Sequence, residues 1–138
     1  HSITTIRAFS GDASSAPMNP HVTDLTQEEC LKLCLDCHHI CLEMAMHHCL
    51  QTGGKHTEPE HFRLMLNCAE MCQTNANFML SSSDLHVLTC GVCAEICKRC
   101  AASCETIGEM DGCVLACRAC ADSCERMVAL HALSKAVV

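Results

Sequence analysis

Four segments of the chain repeat an apolar position every three or four residues, and the residue at that position is most often cysteine. Residues 90–104 read CGVCAEICKRCAASC, with cysteines three, four, three and four positions apart. A mean step of about 3.5 residues keeps a stripe of side chains on one face of an α-helix, as in helices that pack against partners. The pattern therefore predicts helices whose inward faces are lined by sulfur.

The same stripe occurs in four successive segments. Its members are Cys30, Cys34, Cys37, Cys41, Met44 and His48 in the first; His61, Met65, Cys68, Cys72, Ala76 and Met79 in the second; His86, Cys90, Cys93, Cys97, Cys100, Cys104 and Ile107 in the third; Cys113, Cys117, Cys120, Cys124, Met127 and His131 in the fourth. Fifteen of the sixteen cysteines lie on these stripes. Cys49 lies one position away, and the pattern assigns it no role.

Turn and capping residues separate the four segments. Thr26 with Glu29, and Thr57 with Glu60, have the spacing of a capping box at a helix N-terminus. The predicted helices span residues 26–52, 58–80, 84–107 and 112–133. Because the connections are short, consecutive helices run antiparallel. We therefore predict an all-α fold, an antiparallel up-down-up-down four-helix bundle with a cysteine-lined core.

A chain of 138 residues has the length of one compact domain. We predict a flexible leader over residues 1–25, the four-helix bundle domain over 26–133 and a C-terminal tail over 134–138. A second apolar set flanks the stripes and either closes the seams between helices or pairs subunits. It includes Leu31, Leu35, Leu42, Met46, Phe62, Leu66, Ala69, Val114, Ala121 and Val128.

The amino-acid composition favours metal binding and argues against other kinds of partner. The chain has sixteen Cys, eight Met and ten His, but three Phe and no Trp or Tyr. A net charge of −7 with nine scattered Lys and Arg residues argues against a nucleic-acid surface. No apolar run approaches the ~20 residues of a membrane span, and the first seventeen residues lack the apolar stretch of a signal peptide. We expect a cytoplasmic protein; because the chain begins with His, export after removal of a signal peptide is the alternative.

Pairs of cysteines four residues apart can hold an ion between them, because residues i and i+4 are neighbours on a helix face. The pairs are Cys30/Cys34, Cys37/Cys41, Cys68/Cys72, Cys93/Cys97, Cys100/Cys104, Cys113/Cys117 and Cys120/Cys124. Copper(I) is soft and accepts thiolate, thioether and imidazole donors at low coordination number. With each thiolate bridging two ions, capacity approaches one ion per cysteine, ~16 per chain. We predict storage of many Cu(I) ions, for supply or detoxification.

Three alternatives compete with copper storage. Cysteine as simple core filler does not account for fifteen thiols on matching stripes. A zinc or general soft-metal buffer is open, although structural zinc sites usually take isolated pairs of CxxC turns. An iron–sulfur or disulfide redox protein is open too, although the bacterial ferredoxin cysteine spacing is absent and disulfide geometry is hard to reach along one helix. No nucleophile with a neighbouring base stands out, so we predict that the protein is not an enzyme.

The cysteine ladders CLKLCLDCHHIC, CGVCAEICKRCAASC and CVLACRACADSC resemble those of the bacterial copper storage proteins, which are small cysteine-rich four-helix bundles. The resemblance covers roughly residues 26–131. It implies that Cu(I) fills the core, that the protein is a homotetramer and that it acts in the cytosol or an exported compartment. It also implies that the cysteines of the seven pairs, together with Cys90, are the core ligands.

Antiparallel order groups weaker donors at the two ends of the bundle. They are His48 and His61 at one end, and His86, His131, Met79 and Met127 at the other. Such exchangeable donors suit a port that passes Cu(I) from a copper donor or chaperone to the thiols. We predict that one of the two ends is this port. The remaining residues fall outside the stripes: His38, His39 and His47 are expected at the surface or an interface, and Lys98, Arg99, Arg118 and Arg126 on a solvated surface.

Overall fold

The computed structural model describes residues 22–137, with side chains described for residues 26–135. The helices are α1 (Val22–Met44), which continues through a π-helical turn (Ala45–Cys49) and a last α-helical turn (Leu50–Thr52), then α2 (Pro59–Leu80), α3 (His86–Ile107) and α4 (Asp111–Val137). Each helix packs against two neighbours in the cyclic order α1, α2, α3, α4. The predicted four-helix bundle is confirmed.

Two predicted ends differ from the structure. The first helix includes Val22, so Thr26 lies inside it and the predicted N-terminal capping box there is wrong. The helix extends because a cap is only a local preference, which an adjoining helical turn overrides. At the other terminus α4 continues to Val137, so the predicted tail over 134–138 is helical to that residue. Most of the predicted leader, residues 1–21, lies outside the described residues.

The start of α2 shows how local chemistry sets a boundary. The Glu58 side chain accepts a hydrogen bond from the backbone N–H of His61 at 3.0 Å. Pro59 occupies the first turn, where a backbone N–H has no partner within the helix, so the lack of an N–H in proline costs no hydrogen bond. The cap is therefore Glu58, one residue after the predicted Thr57. Gly53 ends the preceding helix with φ of 69°, a conformation that favours glycine.

The π-helical turn changes which residues of the first helix face the core. A π turn closes its hydrogen bonds one residue later than an α turn, so it adds a residue and rotates the part of the helix after it. Ala45 and Cys49 are consequently fully buried, whereas Met44 and His48 are half-buried. The fully buried stripe thus ends with Ala45 and Cys49, and Met44, which precedes the turn, packs against the edge of the core. Cys49, which the pattern placed off the stripe, lies on the core face.

Sulfur fills the interior. All sixteen cysteines are free thiols with 0% exposure, and the larger fully buried side chains are those of Met65, Met110, His56 and Asn75. Free cysteine packs as a small hydrophobic residue, so the bundle buries its core without aromatic side chains. Phe62 lies half-buried against this core. The interior is thus apolar enough to fold and still consists mainly of metal-binding atoms.

Charged residues lie on the outside, as predicted. Lys98 pairs with Glu125 and Arg118 with Glu105, which links α3 to α4 across the surface. Exposed pairs of this kind contribute little to stability because water and salt screen them, so they are not what holds the bundle together. Within residues 22–137, no helix is long and apolar enough to cross a membrane.

Candidate metal centre

A continuous network of sulfur contacts runs along the axis of the bundle. Between helices, the Sγ atoms of Cys41 and Cys117 are 3.5 Å apart, and those of Cys72 and Cys97 are 3.6 Å apart. Within one helix, the spacing of four residues gives similar distances, such as 3.8 Å from Cys37 to Cys41. The four stripes of the sequence therefore meet as one column of thiols.

Thiols of this column converge in four groups. In each group the sulfur atoms all lie within 4.8 Å of one another. The groups are Cys30, Cys90 and Cys124; Cys34, Cys93, Cys120 and Cys124; Cys37, Cys72, Cys97 and Cys120; and Cys37, Cys41, Cys68 and Cys117. Successive groups share one thiol: Cys124, then Cys120, then Cys37. A shared thiolate is in place to bridge metal ions held by two neighbouring groups.

The separations match those of metal-bound sulfur. A metal–thiolate bond of about 2.3 Å, the length found for zinc, puts the sulfurs around one ion about 4 Å apart. The contacts in the column, 3.5 to 4.0 Å, already have this value. A disulfide bond would need the two sulfurs at about 2 Å. Soft ions can therefore enter with little movement of the helices.

The thiols at the two ends of the column differ in pKa. Hydrogen bonds from Cys100 and then Cys113 lower the pKa of Cys104 to about 4, against the opposing effect of burial. A hydrogen bond with Cys124 lowers the pKa of Cys90, but Cys30 and burial outweigh it and raise this pKa to about 11. The Cys104 thiol therefore loses its proton more readily than the Cys90 thiol. Metal binding at Cys90 must release a proton.

Methionine and histidine extend the donor set where α2 has few thiols. The Sδ atom of Met65 accepts hydrogen bonds from Cys104 at 3.3 Å and Cys100 at 3.6 Å. His61 is 3% exposed, and its Nδ1 lies 2.7 Å from Oγ of Ser103, while its Nε2 is buried without a hydrogen-bond partner among the described residues. Burial lowers the pKa of His61, which favours a neutral imidazole with a free lone pair.

One amide lies inside the thiol column. Asn75 is fully buried, and the Thr89 hydroxyl donates to its Oδ1 at 2.6 Å, which fixes the orientation of the amide. The Nδ2 group donates to Cys34 at 3.3 Å and to Cys90 and Cys124 at 3.5 Å. Asn75 was not among the predicted site residues, although it follows Cys72 by three residues, a step that the stripes use. These donors stabilise negative charge on the sulfurs near that end.

At one end of the bundle, called the open end below, the described residues surround a solvent-facing cavity. His86, Met127 and His131 line a cavity of about 240 Å³, as their predicted grouping required. Nδ1 of His86 donates to the Ser83 carbonyl oxygen at 2.7 Å, which leaves the lone pair on Nε2 available for a metal. The predicted fourth member of this end, Met79, is 3% exposed.

The opposite end differs from the prediction. His48 contacts His56, with ring centroids 4.9 Å apart and the rings perpendicular, whereas His61 contacts Ser103. The predicted partner of His48 was His61. His56 was not predicted, because it lies in a 3₁₀ turn (Gly54–Thr57) where no helical period applies. At the same end of the bundle, the thiol of Cys49 donates a hydrogen bond to Sδ of Met110 at 3.9 Å.

Comparison with known proteins places these features in a family. The family model described as Csp, copper storage protein, matches residues 23–129. The chain belongs to the copper storage protein family. Copper storage proteins are not enzymes, so the predictions of copper storage and of no catalytic activity are confirmed.

Three relatives are similar over most of the bundle. The Nmul_A1745 protein from Nitrosospira multiformis is 54% identical, with a TM-score of 0.76 over 78% of this chain and 98% of that one. The Cu(I)-bound copper storage protein BsCsp3 is 28% identical, with a TM-score of 0.70 over 75% and 98% of the two chains. An uncharacterized cysteine-rich protein, YhjQ of Bacillus subtilis (strain 168), is 31% identical over 77 residues, which are 56% of this chain and 70% of that protein.

Three further histidines within the described residues of this copper storage protein lie outside its thiol column. Nδ1 of His38 donates to the backbone carbonyl of Ala69 at 2.8 Å, so His38 lies at the interface of α1 and α2. His39 and His47 are exposed. All three lie where the sequence pattern predicted.

Proposed function

We propose that the protein stores close to one Cu(I) ion per cysteine, ~16 per chain, as a column of thiolate-bridged ions. The observation that carries this proposal is the sharing of Cys124, Cys120 and Cys37 between successive thiol groups. At one ion per thiolate, each Cu⁺ replaces one thiol proton, so the charge of the buried core does not change. A buried core tolerates this far better than it tolerates unpaired charge. The Cu(I)-bound structure of BsCsp3 supports the proposal.

The proposed ligands follow from position and donor type. Thiolates of all sixteen cysteines bind in the column, and Met65 and His61 add donors beside Cys104. Cys49 joins the set because the π turn buries it next to Met110. Met44 precedes the π turn and is half-buried against the core, so it stays a candidate donor at the edge of the column.

Anaerobic titration of the reduced protein with Cu(I) against a competing Cu(I) chelator tests this function. We expect more than about ten ions retained per chain, close to the thiol count, because bridged thiolates bind nearly one ion each. Retention of one to four ions, with Zn²⁺ competing equally well, would leave a zinc or general soft-metal buffer instead.

The open end is the proposed copper port. His86, Met127 and His131 line its cavity, and the next thiol group along the column is Cys30, Cys90 and Cys124. Imidazole and thioether bind Cu(I) more weakly than thiolate, so they can accept an ion from a donor protein and release it inward. We propose a copper chaperone as that donor.

Loss of both port histidines is expected to slow copper loading without changing capacity. Replacing His86 and His131 by alanine removes the exchangeable donors, and we expect loading to slow by about tenfold. Stopped-flow loading from a Cu(I)–chelator complex measures the rate. Replacement of the exposed His39 and His47 by alanine is the matched control. Equal loading rates in the wild type and both variants would show that copper enters elsewhere.

We also propose a homo-oligomer, with a tetramer as its state. Leu35, Leu42, Met46 and Leu50 follow one another along the first helix and are 37 to 53% exposed, and Leu88 on α3 is 68% exposed. A soluble monomer rarely leaves a row of large apolar side chains in water, so this face is suited to a second copy. Members of the predicted second apolar set therefore differ in position: Leu31 packs against the core, whereas Leu35 faces outward.

The cytoplasm is the proposed location. Thiols of the column lie as close as 3.5 to 4.0 Å to neighbouring thiols, and none of the sixteen cysteines forms a disulfide bond. The reducing cytosol keeps such thiols available for metal, whereas an oxidising compartment favours disulfides.

A further inference from the structure

A cluster of nitrogen and oxygen donors lies outside the thiol column. His48 belongs to the π turn, His56 to the 3₁₀ turn before α2, and Glu109 to the connection between α3 and α4. One donor atom from each residue lies within 4.8 Å of the other two. The cluster contains no sulfur, so its chemistry differs from that of the copper store.

The buried histidine of this cluster lacks partners. His56 is 1% exposed, and neither of its ring nitrogens has a hydrogen-bond partner in the described part of the chain. Glu109 Oε1 is 3.6 Å from His56 Nε2, which is beyond hydrogen-bond distance. Nε2 of His48 is buried without a partner as well. Buried polar atoms left unpaired are costly, so a native protein normally provides something for them to bind.

We propose that His48, His56 and Glu109 form a binding site for one Zn²⁺ ion. Two imidazoles and one carboxylate are a donor set that zinc prefers, with water as the fourth ligand. Zinc bonds of about 2.1 Å place tetrahedral ligand atoms about 3.4 Å apart. The pair formed by His56 and Glu109 is already at 3.6 Å, and the Glu109 side chain is 75% exposed, so it is free to move inward.

The ion would join two separate connections. His48 and His56 belong to the connection between α1 and α2, and Glu109 to that between α3 and α4. The site lies at the end of the bundle opposite the proposed port, away from the cavity through which copper is proposed to enter. The three ligands of the site belong to none of the thiol groups of the copper column. The site therefore stands whether or not the proposed copper capacity is correct.

Zinc titration of the Cu(I)-saturated protein tests this proposal, because copper then occupies the thiolates that would otherwise bind zinc. With a chromophoric zinc chelator as competitor, we expect one Zn²⁺ bound per chain. With Co²⁺ as a spectroscopic probe, we expect visible ligand-field bands and no thiolate-to-cobalt charge-transfer band. No binding of Zn²⁺ to the copper-saturated protein, or a thiolate band with Co²⁺, would overturn the assignment.

Two variants identify the ligands. Glu109→Gln keeps the shape of an exposed side chain and removes its charge, so the protein should fold normally and bind Zn²⁺ at least about tenfold more weakly. The matched control is Glu43→Gln, because Glu43 forms an exposed pair with His39 at 3.5 Å. Equal zinc affinities for these two variants would contradict the site. Cu(I) capacity should be the same in both, which separates this test from that of copper storage.

Discussion

Replacement of Cys37, Cys72, Cys97 and Cys120 by alanine is expected to lower the copper capacity from ~16 to ~12 Cu(I) ions per chain or fewer. These thiols come one from each helix and form one convergent group. Alanine supplies no metal donor and favours the helix, so the chain keeps its helices but loses this group. Cys37 and Cys120 also belong to neighbouring groups, so the loss should be at least one ion per removed thiol. Copper retained against a chelator, with a thiol count, measures the change.

Cys49→Ala is the internal control for this experiment. The sulfur of Cys49 contacts Met110 at 3.9 Å and belongs to none of the four thiol groups, so its removal should cost about one ion at most. Circular dichroism verifies the helices of both variants. If the fourfold variant does not fold, the pair Cys72→Ala and Cys97→Ala should lose about two ions. Undiminished capacity in a folded variant would show that these cysteines are not ligands.

Copper loading is expected to raise the midpoint of thermal unfolding by more than about 20 °C. Each soft ion ties together thiolates from different helices, and one structural metal ion contributes on the order of 10 kcal/mol to folding. The metal-free bundle is expected to have a low free energy of unfolding, because its core consists of small thiols and its larger buried side chains are few. Helical circular dichroism during anaerobic heating, with and without bound Cu(I), measures the shift.

Magnesium is the control ion for the unfolding experiment. It prefers oxygen ligands and should leave the midpoint unchanged, because the column offers sulfur. A copper-induced shift below about 5 °C would mean that the ions bind outside the contacts between helices. Binding at exposed single donors would give that result.

The sequence pattern was enough to predict the column, because one physical rule governs both the helix and the stripe. A spacing of three and four residues places thiols on a single face, and short connections place that face inside an antiparallel bundle. The cysteines of the seven pairs and Cys90 are all fully buried, and Met65 and His61 are in the core as well. The burial of these residues could be predicted without knowing which residues of other helices lie beside them.

Cys49, Asn75 and His56 show where pattern analysis ends. The π turn adds a residue without any glycine or proline to mark it, so the buried position of Cys49 could not be predicted. Asn75 is polar, and its burial depends on three thiols from other helices and on Thr89. His56 lies in a short turn, and its neighbours depend on how two connections meet in space. The position of each of these residues depends on tertiary contacts, which a sequence repeat of three or four residues does not encode.

The sharing of one thiol between successive groups has a consequence for the order in which copper leaves. An ion in the group of Cys37, Cys41, Cys68 and Cys117 has three further groups between it and the open end. With the proposed port as its exit, it moves by exchanging one thiolate for the next after the ion ahead of it has moved. The store therefore empties in single file, with the last ion to enter being the first to leave. Release under a strong chelator should then slow progressively, since the deepest ions wait for all the others.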